Sequence, residues 1–265
     1  MNQQPPIRTA IWKRAISAAG FTLMELLTSI AVLGVMMAML FSVFNQINNA
    51  WLQGDSRVET FTTARATLDY MSRELSQAIA TNIAFYGDAT HIYFVAPVNT
   101  GSTNLADLCE VGYELQVKDP NNPQKLTLEI LRRLVAPTAQ NCQGFPGSTW
   151  NPYAASWWST TFFNKPVNPL TESTTALASN CVVGLQFQYY GPNGNLLSVP
   201  YIVPTSGNRL PSLISITMSN VDSRTATKLN LVGPIPPQPP TAWQTITNST
   251  LRVFSTTVYL SNISP

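Results

Sequence analysis

From Leu26 to Phe44 the chain runs apolar, and no residue from Leu26 through Gly54 carries a charge. Wound as a helix, that run would be about 28 Å long, close to the hydrocarbon thickness of a bilayer. Beyond it the spacing becomes that of an amphipathic helix. Trp51, Val58, Phe61, Leu68, Met71, Leu75 and Ile79 recur mostly at intervals of three, four or seven, which predicts one apolar stripe. Asp55, Arg57, Glu59, Arg65, Asp69, Arg73 and Glu74 fall on the remaining surface, and Asp69 precedes Arg73 by four, the favourable order for an ion pair. No proline occurs between Pro6 and Pro97, so nothing forces a break before the mid-80s. The expectation is one helix from Phe21 to about Ile79, near 90 Å long, with Gly34 and Gly54 as its flexible points.

From Gly87 onward the period changes to two. His91 to Val95 is apolar and rich in strand formers, and Val111, Tyr113, Leu115 and Val117 alternate with polar residues. So do Leu126, Leu128 and Ile130; Val183, Leu185, Phe187 and Tyr189; and Ile214, Ile216 and Met218. Thr250 to Leu260 reads as a final strand, and Gly191-Pro192-Asn193-Gly194-Asn195 as a turn. Helix first and half-buried antiparallel strands afterwards make the fold class α+β, a long N-terminal helix packed on an antiparallel β-sheet domain. Pro97 to Asp107, Asp119 to Gln124 and the proline-rich Gly233 to Pro240 read as loops. Residues 137–179 show no period; within them Trp150, Tyr153, Trp157, Trp158, Phe162 and Phe163 sit among polar residues.

Charge sharpens the picture at the N-terminus. Met1 to Ala19 holds Arg8, Lys13 and Arg14 and no acid, which favours the cytoplasmic side of a membrane. Glu25 stands at the mouth of the apolar run, where an unpaired carboxylate entering hydrocarbon costs roughly 2.5–3.5 kcal/mol, so a partner is expected. A secretory signal peptide needs a small-x-small cleavage site after its apolar run. Here Phe41-Ser42-Val43-Phe44-Asn45-Gln46 follows, and the small residues Ser17, Ala18, Ala19 and Gly20 lie before the run. Length and charge alone leave a plain signal anchor open.

Gly20-Phe21-Thr22-Leu23-Met24-Glu25 ahead of that helix resembles the prepilin cleavage and N-methylation motif of type IV pilins and type II secretion pseudopilins. The resemblance implies cleavage after Gly20 by prepilin peptidase and methylation of the new amino terminus at Phe21. It also implies the partner of Glu25, the Phe21 amine of a neighbouring subunit. Two such charges are tolerable in an apolar bundle only when paired and hydrogen-bonded. The division that follows is a leader at 1–20, a transmembrane and filament-core helix at 21–45, an amphipathic helix at 46–84 and a periplasmic β domain at 85–265.

Three further segments narrow the resemblance. Thr63 to Ala78 is similar to the post-membrane helix of minor pseudopilin J of type II secretion, Gly184 to Gly194 to that family's strand and turn, and Leu210 to Met218 to its following strand. Major subunits carry a proline near the end of the membrane segment, where this chain has Ser42 and none. The chain also resembles the J-like pseudopilins (cassette protein C) of Verrucomicrobia and related bacteria. The implied role is a structural, non-enzymatic subunit at the pseudopilus tip, inserted once in the inner membrane with a cytoplasmic leader and a periplasmic domain. Its implied partners are prepilin peptidase, other minor and major pseudopilins and, through the filament, secreted proteins. Two alternatives stay open: a minor pilin or adhesin of a type IV pilus, and a membrane-anchored binding or hydrolytic domain.

Composition adds exclusions. Loss of the three leader bases takes the formal side-chain charge from +2 to −1, 12 basic against 13 acidic residues, and no basic patch argues for nucleic acid as a partner. Arg132-Arg133 reads as one exposed and one salt-bridged residue. Cys109, Cys142 and Cys181 would face an oxidising compartment, giving one disulfide and one thiol. Cys142–Cys181 would staple the aromatic segment, and Cys109–Cys142 stays open. With cysteines so widely spaced and His91 the only histidine, no metal site or other cofactor is expected. No serine or cysteine lies in a nucleophile motif, and no catalytic residue is assigned. Asp119-Pro120-Asn121-Asn122 reads as a surface turn in preference to a calcium loop. The aromatic segment 150–163 either caps the core or offers a carbohydrate- or protein-binding face.

Overall fold

The computed structural model describes residues 21–79, 85–98, 108–117, 128–135, 172–203, 209–232 and 250–260. The chain divides into two compact units, Met1–Gln53 and Gly54–Pro265. Helix α1, Leu23–Ser76, runs through the boundary. In the first unit every described residue is exposed, and this is the one helix among the described residues long and apolar enough to cross a membrane.

The second unit is an eight-stranded, wholly antiparallel sheet joined by the end of α1 and a short helix, an α+β arrangement. Its strands are β1 (Phe85–Gly87), β2 (Ile92–Pro97), β3 (Leu108–Val117), β4 (Leu128–Val135), β5 (Glu172–Tyr190), β6 (Tyr201–Val203), β7 (Leu213–Asn220) and β8 (Arg252–Tyr259). They lie in the order β6-β1-β2-β3-β4-β5-β7-β8. Helix α2, Ser223–Val232, follows β7 and starts on an Asp222 cap, whose Oδ1 accepts the Thr225 N–H at 2.7 Å. The alternating segments fall in strands, apart from Leu126, which lies outside the described residues. β1, β6 and α2 were not legible, and β5 begins at Glu172, inside the stretch without a period. Ladder pairing with β4 carries β5 through the polar residues Ser173 to Thr175, with register shifts where the two strands meet.

α1 closes with Gln77 and Ala78 donating to the Glu74 and Leu75 carbonyls, and the Ile79 N–H then bonds the Val95 carbonyl. The helix therefore ends short of residue 84. Its buried face also differs from the predicted stripe. Leu68, Met71 and Leu75 are buried as expected, but Val58 and Phe61 are 62% and 52% exposed. Ser56, Thr60, Ala64 and Thr67, small side chains at helical spacing, are buried in their stead, Ser56 with its hydroxyl 3.3 Å from that of Ser223 on α2. Their hydroxyls find local acceptors: Thr60 bonds the Ser56 carbonyl at 2.8 Å, and Thr67 bonds that of Leu177 on β5 at 3.3 Å. Asp69 pairs with Arg65 at 3.8 Å and not with Arg73.

The core joins Ala64, Leu68, Met71 and Leu75 to Ile92, Phe94, Val111, Ile130, Phe187, Ile216 and Met218. Strands β2 to β4 are buried on their other face too, at Tyr93, Val95, Leu131 and Val135. One close approach requires glycine. A Cβ at Gly87 would lie 2.4 Å from the Tyr189 ring, which crosses β1 so that its hydroxyl donates to the Asp88 carbonyl at 2.9 Å. The predicted turn is present, with Gly194 at φ 73° donating to the Gly191 carbonyl.

Candidate functional site

The N-terminal site is built by helix initiation. Thr22 caps α1: the Glu25 N–H donates to Thr22 Oγ1 at 3.3 Å and to its carbonyl at 3.1 Å. Thr22-x-x-Glu25 is the spacing of a capping box, and the acid in the first turn complements the helix dipole. Phe21 precedes the cap and is 79% exposed, and Glu25 is exposed as well. Among the described residues the Glu25 carboxylate meets no side-chain partner. Thr28 and Ser29 turn their hydroxyls back to the carbonyls of Glu25 and Leu26, so the apolar run presents no unsatisfied hydroxyl there. Gly20, the other half of the cleavage site, lies outside the described residues.

The second glutamate of α1 that matters is one expected at the surface. Glu74 is buried and holds Arg132 of β4, with Arg132 Nε 2.9 Å from Oε2 and Nη2 2.5 Å from Oε1. Tyr113 of β3 donates its hydroxyl to the same carboxylate, and the Arg132 guanidinium lies 5.7 Å from the Tyr70 ring centroid. Burial weighs against the Arg132 charge, but bonding and attraction to Glu74 outweigh it and hold its pKa above the ordinary value. Burial, then the neighbouring Glu74 charge, pushes the Tyr113 phenol well up, so it stays a donor.

Arg133 points to the opposite face, because neighbouring residues of a strand alternate sides. It is buried as well, 3.5 Å from Glu114, which also accepts the Tyr93 hydroxyl at 3.4 Å. The expectation of one exposed and one paired arginine is therefore corrected: both are buried and both are paired, one on each face. Nothing local marks this, since Glu74 and Glu114 lie on other elements, 58 and 19 residues away.

Beside this lies the Asp88–His91 turn. One Asp88 oxygen accepts the Thr90 and His91 N–H groups at 2.6 Å, and His91 Nδ1 stands 3.1 Å from the carboxylate. Burial raises the Asp88 pKa, but the bonds from His91 and from the Thr90 backbone override it, leaving it below the usual carboxylate range. The bond to Asp88, partly opposed by burial, raises that of His91. Burial and the bond to Asp88 push the Tyr86 phenol up to about 12. These contacts give His91 a structural role in fixing the turn.

Cys109 is buried on β3, and Cys181 is half-buried on β5 with its thiol pushed up by burial. Cys142 lies outside the described residues, and with it both candidate disulfides. The aromatic segment 150–163 and the Asp119 turn lie outside them too. Among the described residues no three His, Cys, Asp or Glu side chains gather as a metal site. Comparison with protein-family models, with curated proteins and with solved structures finds no match.

Proposed function

We propose that the chain is a minor, J-like pseudopilin, a structural subunit that joins a type II secretion pseudopilus through its N-terminal helix. The observation that carries the reading is the motif in its structural place: Gly20-Phe21-Thr22-Leu23-Met24-Glu25 runs into a Thr22-capped helix whose exposed apolar half leads to a sheet domain. Prepilin peptidase would cut at Gly20–Phe21 with the leader in the cytoplasm and the sheet domain in the periplasm. The Phe21 amine, methylated, would meet Glu25 of an adjoining subunit. Exposed apolar side chains from Leu23 to Ile47 supply the bundling surface, and the buried tether at Glu74 would hold the domain on its helix in the filament. Placement at the tip, where such a subunit would start assembly for protein secretion, rests on the J resemblance alone.

Mass spectrometry of the chain purified from its native membrane tests this reading. An N-methylated Phe21 as first residue is expected, and an intact leader overturns the proposal. Neighbouring genes separate it from a type IV minor pilin or adhesin: sibling pseudopilins with a secretion ATPase, against retraction and adhesion genes.

A further inference from the structure

Within the sheet domain, an open groove of about 400 Å³ runs between the 57–61 stretch of α1 and the start of β8. Val58, Phe61 and Phe254 make its apolar surface, with the two rings edge-to-face at 5.9 Å. Arg57 and Arg252 flank it, and neither has an ion-pair partner among the described residues. The one carboxylate lining the groove among the described residues, Asp222, is engaged in capping α2. Apolar side chains beside two guanidiniums without ion pairs among the described residues are the composition of a protein-binding hot spot.

We propose that this groove docks an amphipathic helix of a neighbouring subunit, one that carries carboxylates beside apolar residues at helical spacing. The proposal rests on the filament reading for the source of the helix and on the groove's own chemistry for its composition. Val58 and Phe61 stand three apart, so they form a ridge of the kind that packs between the side chains of a second helix. Arg57 and Arg252 then meet the carboxylates, bidentate where the geometry allows.

The test uses the full chain in its native membrane, with p-benzoylphenylalanine in place of Val58 and light-induced adducts mapped by mass spectrometry. The expected adduct falls on a subunit segment with that pattern of acids and apolar residues. Arg57→Glu with Arg252→Glu should lower its yield at least about tenfold, since opposing like charges cost several kcal/mol. Replacing the mapped acids by lysine should restore it. Arg57→Lys with Arg252→Lys keeps the charge and should keep the adduct, which separates docking from misfolding. An adduct on lipid or nucleic acid, on a segment without acids, or indifferent to charge reversal overturns the proposal. So does a processed, assembled chain that gives no adduct. The expected adduct in a chain still carrying its leader would uphold the docking surface and sink the filament reading instead.

Discussion

Two glutamates on one helix solve opposite problems. Glu25 stands in the first turn of α1, exposed and without a side-chain partner among the described residues. Glu74 stands in the last turn, buried, with Arg132 and Tyr113 on its carboxylate. Glu74 finds its charge partner inside its own chain, and that contact ties α1 to the middle of the sheet. Glu25 meets none among the described residues, and on the proposed reading its partner is the amine of an adjoining subunit. A carboxylate in apolar surroundings thus marks either an internal tether or an external contact, and only the location of its partner tells them apart.

The comparison breaks most sharply at Glu74. Glu74→Gln leaves Arg132 buried without its counter-charge and should cost about 3–5 kcal/mol. Glu74→Leu with Arg132→Met removes both charges and should cost less than either single change. Thermal unfolding of the full chain in detergent, followed through the sheet domain, reads both. A double variant as damaged as the single ones would show that the tether does not depend on pairing.

Gly87 gives a smaller, purely steric effect. Gly87→Ala drives a methyl into the Tyr189 ring and should cost about 1–3 kcal/mol. Gly87→Ala with Tyr189→Phe removes the hydroxyl but not the ring and should recover little of it. Equal melting points for Gly87→Ala and the parent chain would refute the close approach.

The Asp88–His91 pair predicts a pH profile. The folded pKa of His91 is raised, so its stabilisation is complete below the ordinary value of 6.5 and is lost as pH rises through the folded value. That of Asp88 is lowered, so its stabilisation is complete above 3.8 and is lost as pH falls through the folded value. The pair contributes most between those limits. His91→Gln should flatten the alkaline side of the stability profile above pH 6.5 and leave Glu74-dependent stability unchanged. An alkaline side just as steep in the variant would assign that slope to another group.

How legible each region was follows from the range of its interactions. The apolar run, the strands at 111–117, 183–189 and 214–218 and the Gly194 turn announce themselves through residues within a few positions. β1 and β6 are three residues each; β1 pairs with β2 close by in the chain, but β6 exists because it pairs with β1, a contact between residues more than a hundred apart. Glu74, Arg132 and Arg133 carry no local sign of burial, because their partners lie on other elements that only the folded sheet brings together. The helix stripe failed for a related reason. Val58 and Phe61 look like core, yet the fold buries the small side chains Ser56, Thr60 and Ala64, and the larger pair is left exposed. Glu25 was legible because its anomaly is local: an acid where the charge pattern stops.

The smallest expected effect on the fold, and the most informative for function, is at Glu25. Glu25→Ala removes an acid from the first helical turn, worth roughly 0.3–1 kcal/mol to helix initiation. Thr22 still caps the helix, and the sheet domain belongs to a separate compact unit, so its melting point should not move. Cleavage after Gly20 should persist, since Gly20 and Phe21 are intact. Assembly is where the change should register. An amine left unpaired in hydrocarbon costs about 2.5–3.5 kcal/mol, on the order of a hundredfold in the association equilibrium. Recovery of sibling subunits with the processed chain after mild detergent extraction measures that loss. If recovery stays at the parent level while Glu74→Gln still melts early, the two glutamates are not counterparts. Glu25 is then only the acid of a capped helix start, and the bundling of α1 rests on its apolar side chains alone.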